Sequence, residues 1–211
     1  MTDQKGHVAF FDCEVSPVVV DEVLEVCAAR DFEFMDAKDT PETVSGGLKR
    51  YLTYETWQPR VTIYSGEDVG PEFPDLDVAL NRSLKLDAFE DVHAHHRWMD
   101  AVFYLVCRLS MFGNPAYAPL YFTSSPDRTL PDDRPIAQSV EKPPCFGVYS
   151  PDVLADFGGT DELFQHEPWC VVELTNERTI IIGSPTPWNG SSWQPPTSAG
   201  FIEHTEFHTR E

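Results

Sequence analysis

Glu90, His93, His96 and Asp100 follow one another at spacings of three, three and four residues. On an α-helix such spacing puts two imidazoles and two carboxylates on one face. That donor set can hold a divalent metal, and a metal-dependent hydrolase is one reading of the chain. A single helix rarely supplies a whole coordination sphere, so His166, or His204 with His208, would have to join from elsewhere. His95 points about 160° away from His93 and falls on the apolar side, which breaks the idea of a histidine-rich face. The competing reading is a solvated polar stripe with ion pairs around Arg97 and no cofactor.

Other candidates are thinner. His204, Glu206 and His208 share a face if the chain end is a strand, though chain ends are commonly exposed edges. Cysteine catalysis needs a thiolate beside a base, and Cys145, after Pro143-Pro144, has no local activator. Asp12 and Glu14 suit a carboxylate pair at the end of a strand, or simply a solvated strand end. There is no G-x-S-x-G, phosphate loop or dinucleotide fingerprint, and Val44-Ser-Gly-Gly47 lacks the Lys-Ser/Thr ending of a phosphate loop. Trp188 and Trp193 stand in the Pro- and Ser-rich stretch Ser184–Pro196. They are candidate binding residues if exposed on that loop; the alternative is that both fold back and cap the sheet.

The element that must position the first candidates is Asp87–Phe112. Asp87 with Glu90 resembles a capping box, and Gly113 with Pro115 gives a stop. Glu90, His93, Arg97, Asp100, Tyr104 and Arg108 form one narrow polar stripe, and the remainder predicts a helix buried on most of its circumference. Around it, Val8–Val15 reads as a first strand, and Ser16-Pro17 opens a helix that buries Val20, Val23, Leu24, Cys27 and Ala28. Phe32–Met35 is a short strand, and Thr40–Glu42 a helical turn ended by Gly46-Gly47. Leu48–Tyr54 and Arg60–Ser65 make a hairpin around Trp57-Gln58-Pro59. Gly66–Pro74 is an acidic loop, and Asp75–Leu84 is expected to be a short helix. Tyr117–Thr123 is a strand, Ser124–Pro144 a long loop, and Cys145–Tyr149 a strand. Ser150-Pro151 opens a second helix, ended by Gly158-Gly159 and followed by a short helix over Thr160–His166. Trp169–Leu174 and Arg178–Gly183 form a hairpin around Asn176-Glu177, and Phe201–Thr209 a final edge strand. The order strand, Ser-Pro, helix, hairpin occurs twice. That suggests a diverged β-α-β-β duplication, or two uses of a good helix start.

Composition limits the function. The chain has 211 residues, a hydrophobic fraction of 41% and a formal charge of −20, with 35 acids against 15 cations. Such an acid surplus argues against nucleic acid and anionic membranes, whose recognition needs cations. It fits a basic protein partner, mimicry of a polyanion, or halophile adaptation in which acidity concerns solvent alone. The five cysteines, Cys13, Cys27, Cys107, Cys145 and Cys170, form no metal-type or redox-type pair and read as reduced thiols in a cytoplasmic protein. Met1–Lys5 has no signal-peptide core, and the apolar-rich run Trp98–Phe112 is too short to span a bilayer. Asn81 and Asn189 match the glycosylation pattern, which has no meaning inside a cell.

The sequence therefore predicts one α+β domain over residues 1–211, with antiparallel hairpins and helices around one long central helix. A division into 1–86 and 116–211 joined by 87–112 is the alternative. The expected function is a non-enzymatic acidic binding protein, in concrete form an immunity-type inhibitor that docks a basic partner.

Overall fold

A computed structural model describes residues 5–14, 16–28, 33–35, 48–53, 57, 59–64, 73–83, 89–122, 129–163, 168–185, 192–196 and 204–209. Alternation of apolar residues builds its strands: β1 (Lys5–Phe10), β2 (Glu33–Met35), β3 (Leu48–Thr53), β4 (Arg60–Ile63), β5 (Leu76–Ser83), β6 (Tyr117–Phe122), β7 (Phe146–Tyr149), β8 (Cys170–Leu174), β9 (Thr179–Ile182) and β10 (His204–Thr209). The helices are α1 (Pro17–Ala28), α2 (Val92–Gly113), α3 (Ile136–Ser139), α4 (Pro151–Asp156) and α5 (Thr160–Leu163). The ten strands form one sheet in the order β10-β8-β9-β7-β6-β1-β5-β4-β3-β2. All pairs are antiparallel, and the strands from the first half of the chain meet those of the second at the β1–β6 seam.

Period-two alternation divides the sheet into two faces. Val8, Phe10, Val61, Val78, Leu120, Val148, Val172 and Ile180 point to one side, where they share a core with Val20, Val23 and Leu24 of α1 and Met99, Val102, Phe103 and Val106 of α2. On the other side Ala9, Phe11, Tyr117, Tyr149 and Ile181 pack with Ile136, Val153 and Leu163, one each from α3, α4 and α5. The second half of the sheet thus lies between helices on both faces. None of the described helices is long and apolar enough to cross a membrane.

The long helix differs in detail from its sequence reading. Asp91, not Asp87, is the N-cap: its carboxylate accepts the Ala94 amide at 2.7 Å. That bond holds the Asp91 carboxyl below its ordinary range. Asp87 lies outside the described residues. At the other end Gly113 is still helical, and Asn114 takes the left-handed cap at φ 49° while its N–H reaches Ser110 O. Tyr104 of the expected polar stripe is buried, and the Arg108 guanidinium sits over its ring at 5.1 Å.

Asp75–Leu84 is a strand, not a helix: β5 pairs with β1 on one side and β4 on the other. The long loop after β6 contains the single turn of α3, preceded by a cis Arg134-Pro135 bond. The hairpins β3–β4 and β8–β9, the helix start at Ser16-Pro17 and the edge position of β10 match the sequence reading. The turn around Thr40–Gly47 and nearly all of the acidic loop lie outside the described residues.

Candidate functional site

The four residues of the proposed metal face are not brought together. Glu90 precedes α2 and is exposed, and His93 is exposed on its first turn. His96 and Asp100 are half-buried, and Asp100 turns toward the loop at 192–196. Among the described residues no group of three His, Cys, Asp or Glu side chains is placed to hold a metal ion. His95 is buried, edge-on to Phe89 at 4.9 Å and stacked near Trp98 at 6.4 Å. His166 lies outside the described residues, and His204 and His208 are on β10.

Trp193 takes the second of the two arrangements the sequence left open and folds back, here onto the long helix. It is 2% exposed, packs edge-on against Phe103 at 5.8 Å, and donates its indole N–H to Asp100 Oδ1 at 2.7 Å. A large amphipathic ring with a carboxylate in reach gains more by closing over the helix than by staying in water. Burial pushes the Asp100 carboxyl up, opposed by the Trp193 bond and the His96 charge. Trp188 lies outside the described residues.

Four of the five cysteines, Cys13, Cys27, Cys107 and Cys170, have thiols that burial holds protonated. All five are free, and Cys27, Cys107 and Cys170 are buried. Burial pushes the Cys27 and Cys170 thiols up to about 12. Cys13 follows β1 rather than lying in it, and burial together with Asp75 and Asp12 raises its thiol further. Cys145 is half-buried against the core. Asp12 is taken by a forked pair with Arg134, at 2.8 Å to Nη2 and 3.0 Å to Nε. On a half-exposed surface that pair locks a loop and contributes about 1 kcal/mol or less.

Among the described residues an open groove of about 880 Å³ lies between α4 and the β8–β9 turn. Pro151, Leu154 and Ala155 form one wall, and Glu173, Leu174, Thr175, Glu177 and Thr179 the other. Ser150 starts α4 as its N-cap, accepting the Val153 amide at 3.3 Å, with Pro151 at the first helical position. Gly158 and Gly159, at φ of 86° and 82°, stop the helix beside the groove.

The opposite wall is pinned from behind. Asn176 Nδ2 donates to Ser110 O at 2.9 Å and to Asn114 Oδ1 at 3.0 Å. Arg178 donates through Nε to Pro115 O at 2.8 Å and through Nη2 to Asn114 O at 3.0 Å. The turn is therefore fastened to the C-terminal end of α2, and Arg178, the one cation in the sequence between Ser150 and Thr179, is spent on those carbonyls. Around the groove the acids Asp152, Asp156, Asp161, Glu162, Glu173 and Glu177 are exposed, and among the described residues no Lys or Arg lines it. Glu177 holds a left-handed φ of 65°, a conformation that residues with a side chain adopt at a cost. The sequence reading located this hairpin through Asn176-Glu177 but not its carboxylates as a site. The turn chemistry was visible, while the facing wall of α4 was not.

No family model matches the chain, and no curated protein matches it. Similarity among solved structures is distant. The chain is similar to the Pseudomonas aeruginosa T6SS protein PA0821, with 13% identity and a TM-score of 0.47, over 88% of this chain and 66% of that one. The functional reading therefore rests on the groove itself.

Proposed function

We propose that the chain is a binding protein whose groove between α4 and the β8–β9 turn receives basic side chains of a protein partner. One observation carries this reading: two carboxylates, Glu173 on β8 and Glu177 on the turn clamped to the end of α2, line a groove in which no cation stands among the described residues. Lys or Arg entering there meets negative charge, and the half-buried apolar side chain of Leu154 accommodates its methylene stem. The surplus charge of −20 steers such a partner at long range and repels nucleic acid. An immunity-type inhibitor, covering the working surface of a toxic basic protein, is the concrete form of this role. The long helix then serves as the interior scaffold that holds the turn.

The test is capture of proteins from a lysate of the source organism by the tagged chain, compared between two charge-reversal variants. Glu173→Lys with Glu177→Lys alters the groove, and Glu22→Lys with Glu25→Lys makes the same charge change on the exposed side of α1. Capture of a basic protein that the groove variant loses and the α1 variant keeps supports the reading. Equal loss in both would reduce the effect to net charge and overturn the site.

A further inference from the structure

The outer face of the first half of the sheet carries a second group of polar side chains. One rung of the sheet runs Tyr121, His7, Ala79, Arg60 across β6, β1, β5 and β4. The next brings Ala9, Asp77 and Thr62 into line on β1, β5 and β4. With strands about 4.8 Å apart, His7 and Arg60 flank the methyl group of Ala79, and the neighbouring rung supplies Asp77 and Thr62.

Three members of this group are already satisfied. His7 Nδ1 lies 3.0 Å from Asp77 Oδ2, and the Tyr121 hydroxyl donates to Asp77 Oδ1 at 3.3 Å. The other two are not. Thr62 is 2% exposed with no partner for Oγ1, and Arg60 Nε is buried with none either. Buried polar atoms ordinarily find partners, and leaving them without one is destabilising. Asp77, the nearest acid by register, has both carboxylate oxygens engaged. What the free groups lack is an acceptor: a guanidinium N–H and a hydroxyl side by side are matched by an oxyanion. Tyr64 follows on the same side of β4, and its hydroxyl feels both Asp77 and Arg60.

We propose that this face is a binding site for a small oxyanion, a carboxylate or phosphate group, held by Arg60 and Thr62 beside the His7–Asp77 pair. The anion accepts from Arg60 Nε and from the Thr62 hydroxyl. His7, fixed through Nδ1 by Asp77, stands across Ala79 from Arg60. The site is separate from the acidic groove, and its charge has the opposite purpose.

The experiment is calorimetric titration of the full chain with inorganic phosphate and, separately, with acetate. It is repeated on Thr62→Val, which keeps the shape, and on Arg60→Lys, which keeps the charge but loses the fork. Saturable binding of either anion, weakened roughly tenfold or more in both variants, is expected. Phosphate alone assigns a phosphate site, and acetate alone a carboxylate site. Failure of both anions to bind the unaltered chain overturns the proposal without reference to any variant. Undiminished binding in the folded variants overturns it as well.

Discussion

Behind β6, β7 and β9 the sheet buries Tyr117, Tyr149 and Ile181 under α3, α4 and α5, whereas behind β1, β4 and β5 it sets His7, Arg60, Thr62 and Asp77. The two halves share one helix-covered face and differ only in the other. Where helices cover the second face, apolar burial does the stabilising work, and the carboxylates are pushed to the rim as a groove. On the outer side of β1, β4 and β5 the same strand periodicity brings polar side chains together, and the Arg60 Nε and Thr62 Oγ1 atoms lack partners. Polar groups gather in both places, but one set is exposed carboxylate and the other is buried among the strands.

The largest effect is expected on the covered half. Ile181→Ala should lower unfolding free energy by about 2–5 kcal/mol, read from urea denaturation, since Ile181 is fully buried between β7 and β8. A loss below about 1 kcal/mol would mean that this face is not a packed core. On the polar half, Asp77→Ala removes the shared acceptor of His7 and Tyr121, and a loss of about 1.5–3 kcal/mol is expected. An unchanged denaturation midpoint would show that the pair is not formed.

Glu177→Gly sharpens the contrast, because stability and binding should move in opposite directions. Glycine relieves the left-handed backbone, so stability should rise by about 1 kcal/mol while capture of a basic protein weakens. Loss of stability would remove the argument that the carboxylate is kept there for function.

The smallest effect is expected on the helix side, at Asp100. Its folded carboxyl titrates above the ordinary value because it is buried, so the folded chain holds that proton more tightly than the unfolded chain. Its contribution to stability is therefore fully present below the ordinary carboxyl value, falls as pH rises to the raised value, and is flat beyond. Asp100→Asn keeps an acceptor for Trp193 and should remove this slope from a series of melting temperatures across that acid range. A variant whose slope matches that of the unaltered chain would contradict the assignment.

Elements set by local chemistry were legible in the sequence. Ser16-Pro17 and Ser150-Pro151 start helices, and period-two alternation with a turn gives both hairpins. Leu76–Ser83 was misread because Leu, Ala and Leu are also spaced for a helix. Pairing with β1 and β4 decides the outcome, and that partnership is not local. For Trp193 the sequence left exposure and burial both open for the same reason, since its acceptor Asp100 is 93 residues away. His7 and Asp77 stand 70 residues apart, so no spacing rule could join them. The helix-face constellation had the converse fault: its spacing was right, but Asp91 starts the helix after Glu90 and Trp193 closes over Asp100.

The most direct test is calorimetric titration of the captured basic protein into the chain and into its Glu173→Lys/Glu177→Lys variant, at ~0.05 and ~0.5 M salt. The account predicts affinity that falls with salt for the unaltered chain, and weak binding at both salt levels for the groove variant. Affinity that ignores salt, or a groove variant that binds as tightly as the unaltered chain, would contradict it.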